Sequence, residues 1–246
     1  YQVYLTIAYK DDVEHYYKLK ELLDLYSLNF TKQEALSLYY SAINYSIQKL
    51  NSGNQEFVEE VFNIYNNLIE KEIIFVNNEL SPWDFKNIIV IALRLGKFEW
   101  TESFIKNYNN KLPEESRENA VTYNLAQLYF YQKRYDQVIQ QLSNVEYEDV
   151  SYNLNSKTML IATYYETDEL IPLYSLFDSF NAYLNRNRKI PDDRKKYYKN
   201  LIKYTKKITK LPPGSKQAVE KLKKEVVETP NIVNKNWLKE KIAELE

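Results

Sequence analysis

Arg194, Lys195, Lys199, Lys203, Lys206 and Lys210 are six of the eight cations in one stretch of seventeen residues. A run of ammonium groups on one helix can hold phosphates or carboxylates, with an affinity that falls as salt rises. The same pattern also serves simply to solvate the polar face of a helix. Interleaved with the cations, Tyr197, Leu201, Tyr204, Ile208 and Leu211 recur at steps of four and three. That spacing predicts one apolar helical face, so the two tyrosines are expected to be buried rather than free to stack on bases.

Residue types suited to catalysis are scarcer. His15 is the only histidine, and the chain has no cysteine. Thiol nucleophiles, disulfides and Cys-based metal sites are therefore excluded, as is any two-His metal site. Paired carboxylates occur at Asp11–Asp12, Glu59–Glu60, Glu114–Glu115 and Asp192–Asp193. The pairs after Pro113 and Pro191 sit at predicted helix starts, where the helix dipole alone accounts for them. Serine and lysine are plentiful, but no G-x-S-x-G nucleophile pattern is present. Three glycines, Gly53, Gly96 and Gly214, are too few and too far apart to build a phosphate-binding loop. No catalytic, cofactor-binding or metal-binding residue is assigned, and the expected role is non-enzymatic.

The elements that must position these side chains are helices. So few glycines argue against a hairpin-rich β fold. Thr31 and Glu34 in "TKQE" form a capping-box pattern, and Ser81–Pro82 followed by Asp84 marks a second helix start. "SGN" at 52–54 and "LGK" at 95–97 are short breaks, whereas "LPPGS" at 211–215 and "TPN" at 229–231 are firmer stops. After the breaks, helices open on Phe57, Phe98, Tyr135 and Leu170, at spacings of 41, 37 and 35 residues. Tyr16, 41 residues before Phe57, marks a further degenerate unit. A helix–turn–helix of this length is the unit of a helical solenoid.

Residues 122–142 carry the pattern most clearly: Leu125–Ala126, Tyr129, then "YDQVI" with Val138 and Leu142 at core positions. Residues 85–113 repeat it through Ile88–Ile89, Ala92, Gly96, Phe98, Thr101, Ile105 and Pro113. Residues 157–180 do so through Leu160–Ile161, Tyr164, Leu170, Leu173 and Phe177. In these positions the chain resembles the tetratricopeptide repeat (TPR) family, and as a whole it is similar to bacterial TPR-like proteins. No unit has the family's opening Trp, and spacing exceeds the strict period of 34.

The resemblance implies an all-α, right-handed α-α superhelix of about four helix-turn-helix repeats over residues 1–211, clearest at 83–185. C-terminal helices at 212–246 then form a cap or an arm. It also implies a concave groove lined by the first helix of each pair, where a partner protein or peptide would lie. Transferred unit by unit, the groove residues are Lys86, Val90 and Arg94, then Tyr123, Asn124, Gln127 and Tyr131, then Thr158, Ala162 and Glu166. Lys86 and Asn124 fit the carboxylate clamp of some members, but Val90, Asn155 and Met159 break it. The function so implied is a protein–protein interaction scaffold. The alternative is nucleic-acid or acidic-surface binding through 186–224, where 15 Lys/Arg meet 3 Asp/Glu, against 15 and 26 in residues 1–185.

The longest aliphatic run, Ile88 to Leu93, is far below the ~20 residues of a membrane span. A cytoplasmic location is expected. The chain begins at Tyr1 without an initiator Met, so a piece lacking its native N-terminus is expected.

Overall fold

The computed structural model describes residues 1–143, 149–212 and 214–245, and among them the chain is all-helical, with one isolated backbone bridge between Val76 and Glu79. Pro213, part of the expected stop at 211–215, lies outside the described residues. The chain forms two compact units, Tyr1–Lys133 and Arg134–Glu246, whereas the sequence pattern divides it at 211/212.

The first unit holds α1 (Gln2–Ala8), α2 (Val13–Tyr26), α3 (Lys32–Asn51), α4 (Phe57–Glu70), α5 (Pro82–Arg94), α6 (Phe98–Tyr108) and α7 (Glu114–Tyr131). Its helix starts follow the sequence. The Glu34 N–H donates to Thr31 Oγ1 and the Thr31 N–H to the Glu34 carboxylate, which closes the capping box before α3. Ser81 accepts from the Trp83 N–H at 3.2 Å, with Pro82 opening α5. An aromatic ladder fills part of the core: Phe62 meets Trp100 at 4.9 Å, Trp100 stacks on Phe104 at 5.1 Å, and Phe104 leans on Phe85 at 5.4 Å. Elsewhere the fully buried Tyr16 joins three helices, because its hydroxyl donates to Glu60 at 3.0 Å and accepts from Ser46 at 2.9 Å.

The second unit holds α8 (Tyr135–Leu142), α9 (Val150–Glu166), α10 (Leu170–Arg186), α11 (Asp192–Ile208), α12 (Lys216–Glu228) and α13 (Lys235–Ala243). One core runs through it. Leu154 and Ile161 of α9, Phe177 and Phe180 of α10, and Leu201 and Ile208 of α11 share it with Val219, Leu222, Val226, Leu238 and Ile242 of the last two helices. The apolar stripes of α12 and α13 are thus covered inside this unit.

One turn recurs along the chain. Gly96, Lys133, Asp168 and Gly214 all adopt left-handed backbone, with φ of +68°, +58°, +55° and +74°. The residue after each, Lys97, Arg134, Glu169 and Ser215, has φ between −88° and −81° and ψ between 62° and 74°. A helix begins at the next residue every time. Three of the turns share a backbone bond of 3.0 Å, from Phe98 to Gly96, Leu170 to Asp168 and Lys216 to Gly214. The same two-residue device therefore opens α6, α8, α10 and α12.

Candidate functional site

The ten expected groove residues divide seven to three between the two units. In the first, α5 and α7 lie side by side. The Lys86 ammonium sits 5.5 Å from the Tyr123 ring, and Arg94 is close enough to Tyr131 to act on its phenol. Desolvation of the phenol by its neighbours outweighs Arg94 and raises the Tyr131 hydroxyl pKa, although 42% of the residue remains open to solvent. Lys86, Val90 and Gln127 are half-buried, and Arg94 and Tyr131 are exposed. Tyr123 and Asn124 are buried, so a partner cannot reach them; the Asn124 amide donates to its own helix at Ala120 O, 2.8 Å.

The three groove residues of α9 are also largely committed inside the fold. Thr158 and Ala162 are buried, with the Thr158 hydroxyl bonded back to Leu154 O at 2.8 Å. The reason is that α9 packs against both α8 and α10, which leaves it a narrow open face. Glu166 ties α9 to α13: it accepts from Trp237 Nε1 at 3.0 Å and pairs with Lys241 at 2.9 Å. Trp237 packs edge-on against Tyr165 at 5.4 Å. Burial works against the Lys241 charge, but hydrogen bonds to Glu244 and Glu166 outweigh it and raise the pKa.

The basic segment forms a more accessible surface. Taking 3.6 residues per turn, Lys196, Lys199, Lys203, Lys206 and Lys207 share a sector of about 100° on α11, and Lys210 follows two residues past its end. Arg194 falls roughly opposite Lys203 and does not join them. Lys195 is held by Asp192 at 3.0 Å, and Lys199 donates to Asn185 Oδ1 at 2.7 Å. On the other side of the helix, Tyr198 rather than Tyr197 reaches the core: Tyr197 is 38% exposed and Tyr198 5%. Packing by α10 and α13 from two directions makes the buried face wider than a single stripe.

α12 returns beside α11 and is fastened to it at one end. Lys207 pairs with Glu225, and the Tyr204 and Thr229 hydroxyls meet at 2.6 Å. The hydrogen bond from Lys207 lowers the Glu225 carboxyl pKa, and Lys221 and Lys203 add to the effect. Apart from these ties the two helices are not closely packed, unlike α9 and α10. The gap is a cleft of about 450 Å³. Lys203, Lys206, Lys207, Lys210 and Lys221 line it, with Glu225 the one carboxylate, over a floor of Leu211, Ala218 and Leu222. Among the described residues, only Lys207 of these five has a carboxylate within 4.0 Å. Lys206 lies 5.3 Å over the Tyr174 ring, and Lys203 and Lys207 lie 5.0 and 5.6 Å from the Tyr204 ring.

Sequence reasoning points to Lys203, Lys206 and Lys210 but misses Lys207 and Lys221. The angular position of Lys207 on α11 is readable from its place in the helix. Lys221 requires knowing that the chain doubles back after Pro212, which a stop signal between two amphipathic helices suggests.

Two other features bear on chemistry. Asp84 is the one buried carboxylate among the described residues, accepting from the Tyr40 hydroxyl at 2.7 Å while its Oδ1 has no partner. Burial raises its pKa, partly offset by the Tyr40 bond. Among the described residues no three His, Asp or Glu side chains gather as a metal-binding cluster, and no helix is long and apolar enough to cross a membrane. Compared with known protein families, curated proteins and solved structures, the chain matches none.

Proposed function

We propose that the chain is a non-enzymatic interaction scaffold built from TPR-like helix pairs, and that it holds an anionic partner in the cleft between α11 and α12. The observation that carries this reading is the cleft: five ammonium groups face one carboxylate over a solvent-open gap. Uncompensated like charges at close range are unfavourable, and an incoming polyanion relieves them while releasing counterions. The recurring turn supports the repeat reading, because the same backbone device opens α6, α10 and α12, and α5 with α6 and α9 with α10 pack as helix pairs. In that reading α13 caps the last pair. A second partner surface on α5 and α7 is favoured by the accessible Arg94 and Tyr131.

Fluorescence anisotropy with labelled polyglutamate tests the proposal. With four lysines that have no carboxylate within 4.0 Å and the single-strand counterion slope as a guide, affinity should fall roughly fifty-fold between about 50 and 200 mM salt. The double variant Lys206→Glu/Lys210→Glu should lose binding even at the lower salt. Undiminished binding by that variant, or none by the parent chain, sinks the proposal.

A further inference from the structure

We infer that the occupant of the cleft is an acidic peptide segment with an apolar side chain among its carboxylates; this rests on reading the cleft as an anion site. The floor is the first argument. Leu211 and Ala218, both half-buried, form an apolar base beneath the amines beside the buried Leu222, and a purely charged strand leaves their open part uncovered. A leucine-like side chain seated there removes it from water while neighbouring carboxylates meet the rim.

The second argument is the state of the aromatic rings. Single-stranded nucleic acid binds on exposed rings that stack on bases. Tyr204 is buried, its hydroxyl is bonded to Thr229, and ammonium groups of Lys203 and Lys207 lie against its ring. Tyr174 is bonded to Thr209 at 3.0 Å and sits under Lys206. Tyr204 offers no free face, and Lys206 occupies a face of the half-buried Tyr174. The third argument is the choice of cation. Every basic residue of the cleft is lysine, a point charge, with no arginine fork to grip a phosphate or a base edge in two places. Spacing agrees with a peptide as well. Lys203 and Lys206 stand about one turn apart on α11 and Lys210 follows just past its end, near the interval at which carboxylates recur on one face of a helix.

The test uses the full chain and three labelled probes of equal length: polyglutamate, the same peptide with two leucines replacing glutamates, and oligothymidylate. At low salt the leucine-bearing peptide should bind about fivefold more tightly than polyglutamate despite its lower charge, from the apolar area it covers. Oligothymidylate should be the weakest. In Ala218→Gln, whose longer side chain crosses the floor, the leucine advantage should vanish while the salt dependence persists. Leu211→Ser provides a second floor variant should the first not fold, with circular dichroism as the check. Equal affinities for the two peptides, or a preference for oligothymidylate, overturn the inference and leave the anion site standing. If no probe binds at low salt, the anion site itself fails.

Discussion

Between Tyr40 and the first turn of α5, the Asp84 carboxyl takes one hydrogen bond and buries its second oxygen without a partner. Because burial raises its pKa, the folded chain holds this proton at pH values where the unfolded chain has released it. The contribution to stability is therefore greatest below the ordinary carboxylate range and declines as pH rises through the raised folded value. Asp84→Asn should melt close to the parent at about pH 4 and gain on it by about 1 kcal/mol near neutrality, read from paired thermal melts. A gain that shrinks with rising pH contradicts the assignment. Single residues are also where the sequence is hardest to read. The first-turn position of Asp84 is plain from "SPWD", but nothing in those four residues reveals that Tyr40 lies over the carboxyl. Thr158 and Ala162 hold the right positions in the repeat pattern for a groove, yet neighbours on two sides bury them.

At the scale of elements, the recurring turn sets a backbone demand that its four sequences meet unequally. Gly96 and Gly214 enter left-handed backbone freely, whereas Lys133 and Asp168 do so against a steric penalty. No atom lies within 4 Å of a Cβ placed on Gly96, so Gly96→Ala should cost only the backbone strain, about 1 kcal/mol. Asp168→Gly should recover a similar amount, about 1 kcal/mol, by relieving that strain. Denaturant midpoints of the two variants should move in opposite directions, and movement in the same direction refutes the shared-turn account. Helix existence and most starts are legible from caps and periodicity. The equivalence of the turns is not, because two of the four lack glycine. The α11/α12 pair is hidden for a different reason: Pro212 and Gly214 read as an ending, while the chain uses them to begin another turn of the same kind.

For the whole molecule, a net charge of −1 conceals a local concentration of cations. Residues 186–224 balance to +12, 15 against 3, a contrast legible in the order of the residues alone. The chain should therefore bind a cation-exchange resin at pH 7.5 despite a sequence pI of about 6.1. Reversing Lys203, Lys206 and Lys210 to glutamate should abolish retention, and retention that persists places the operative charge elsewhere. Not legible in that order is the return of α12, which turns a basic stripe into a cleft with a floor. That return also fixes α13, and with it the bond from the Trp237 indole to Glu166. The other tryptophans, Trp83 and Trp100, lie in the first unit, so Trp237 is the one indole of the second. A chain with Trp83 and Trp100 changed to phenylalanine would carry a built-in optical probe: its emission would report the second unit alone, in the hydrogen-bonded state and as that bond is lost.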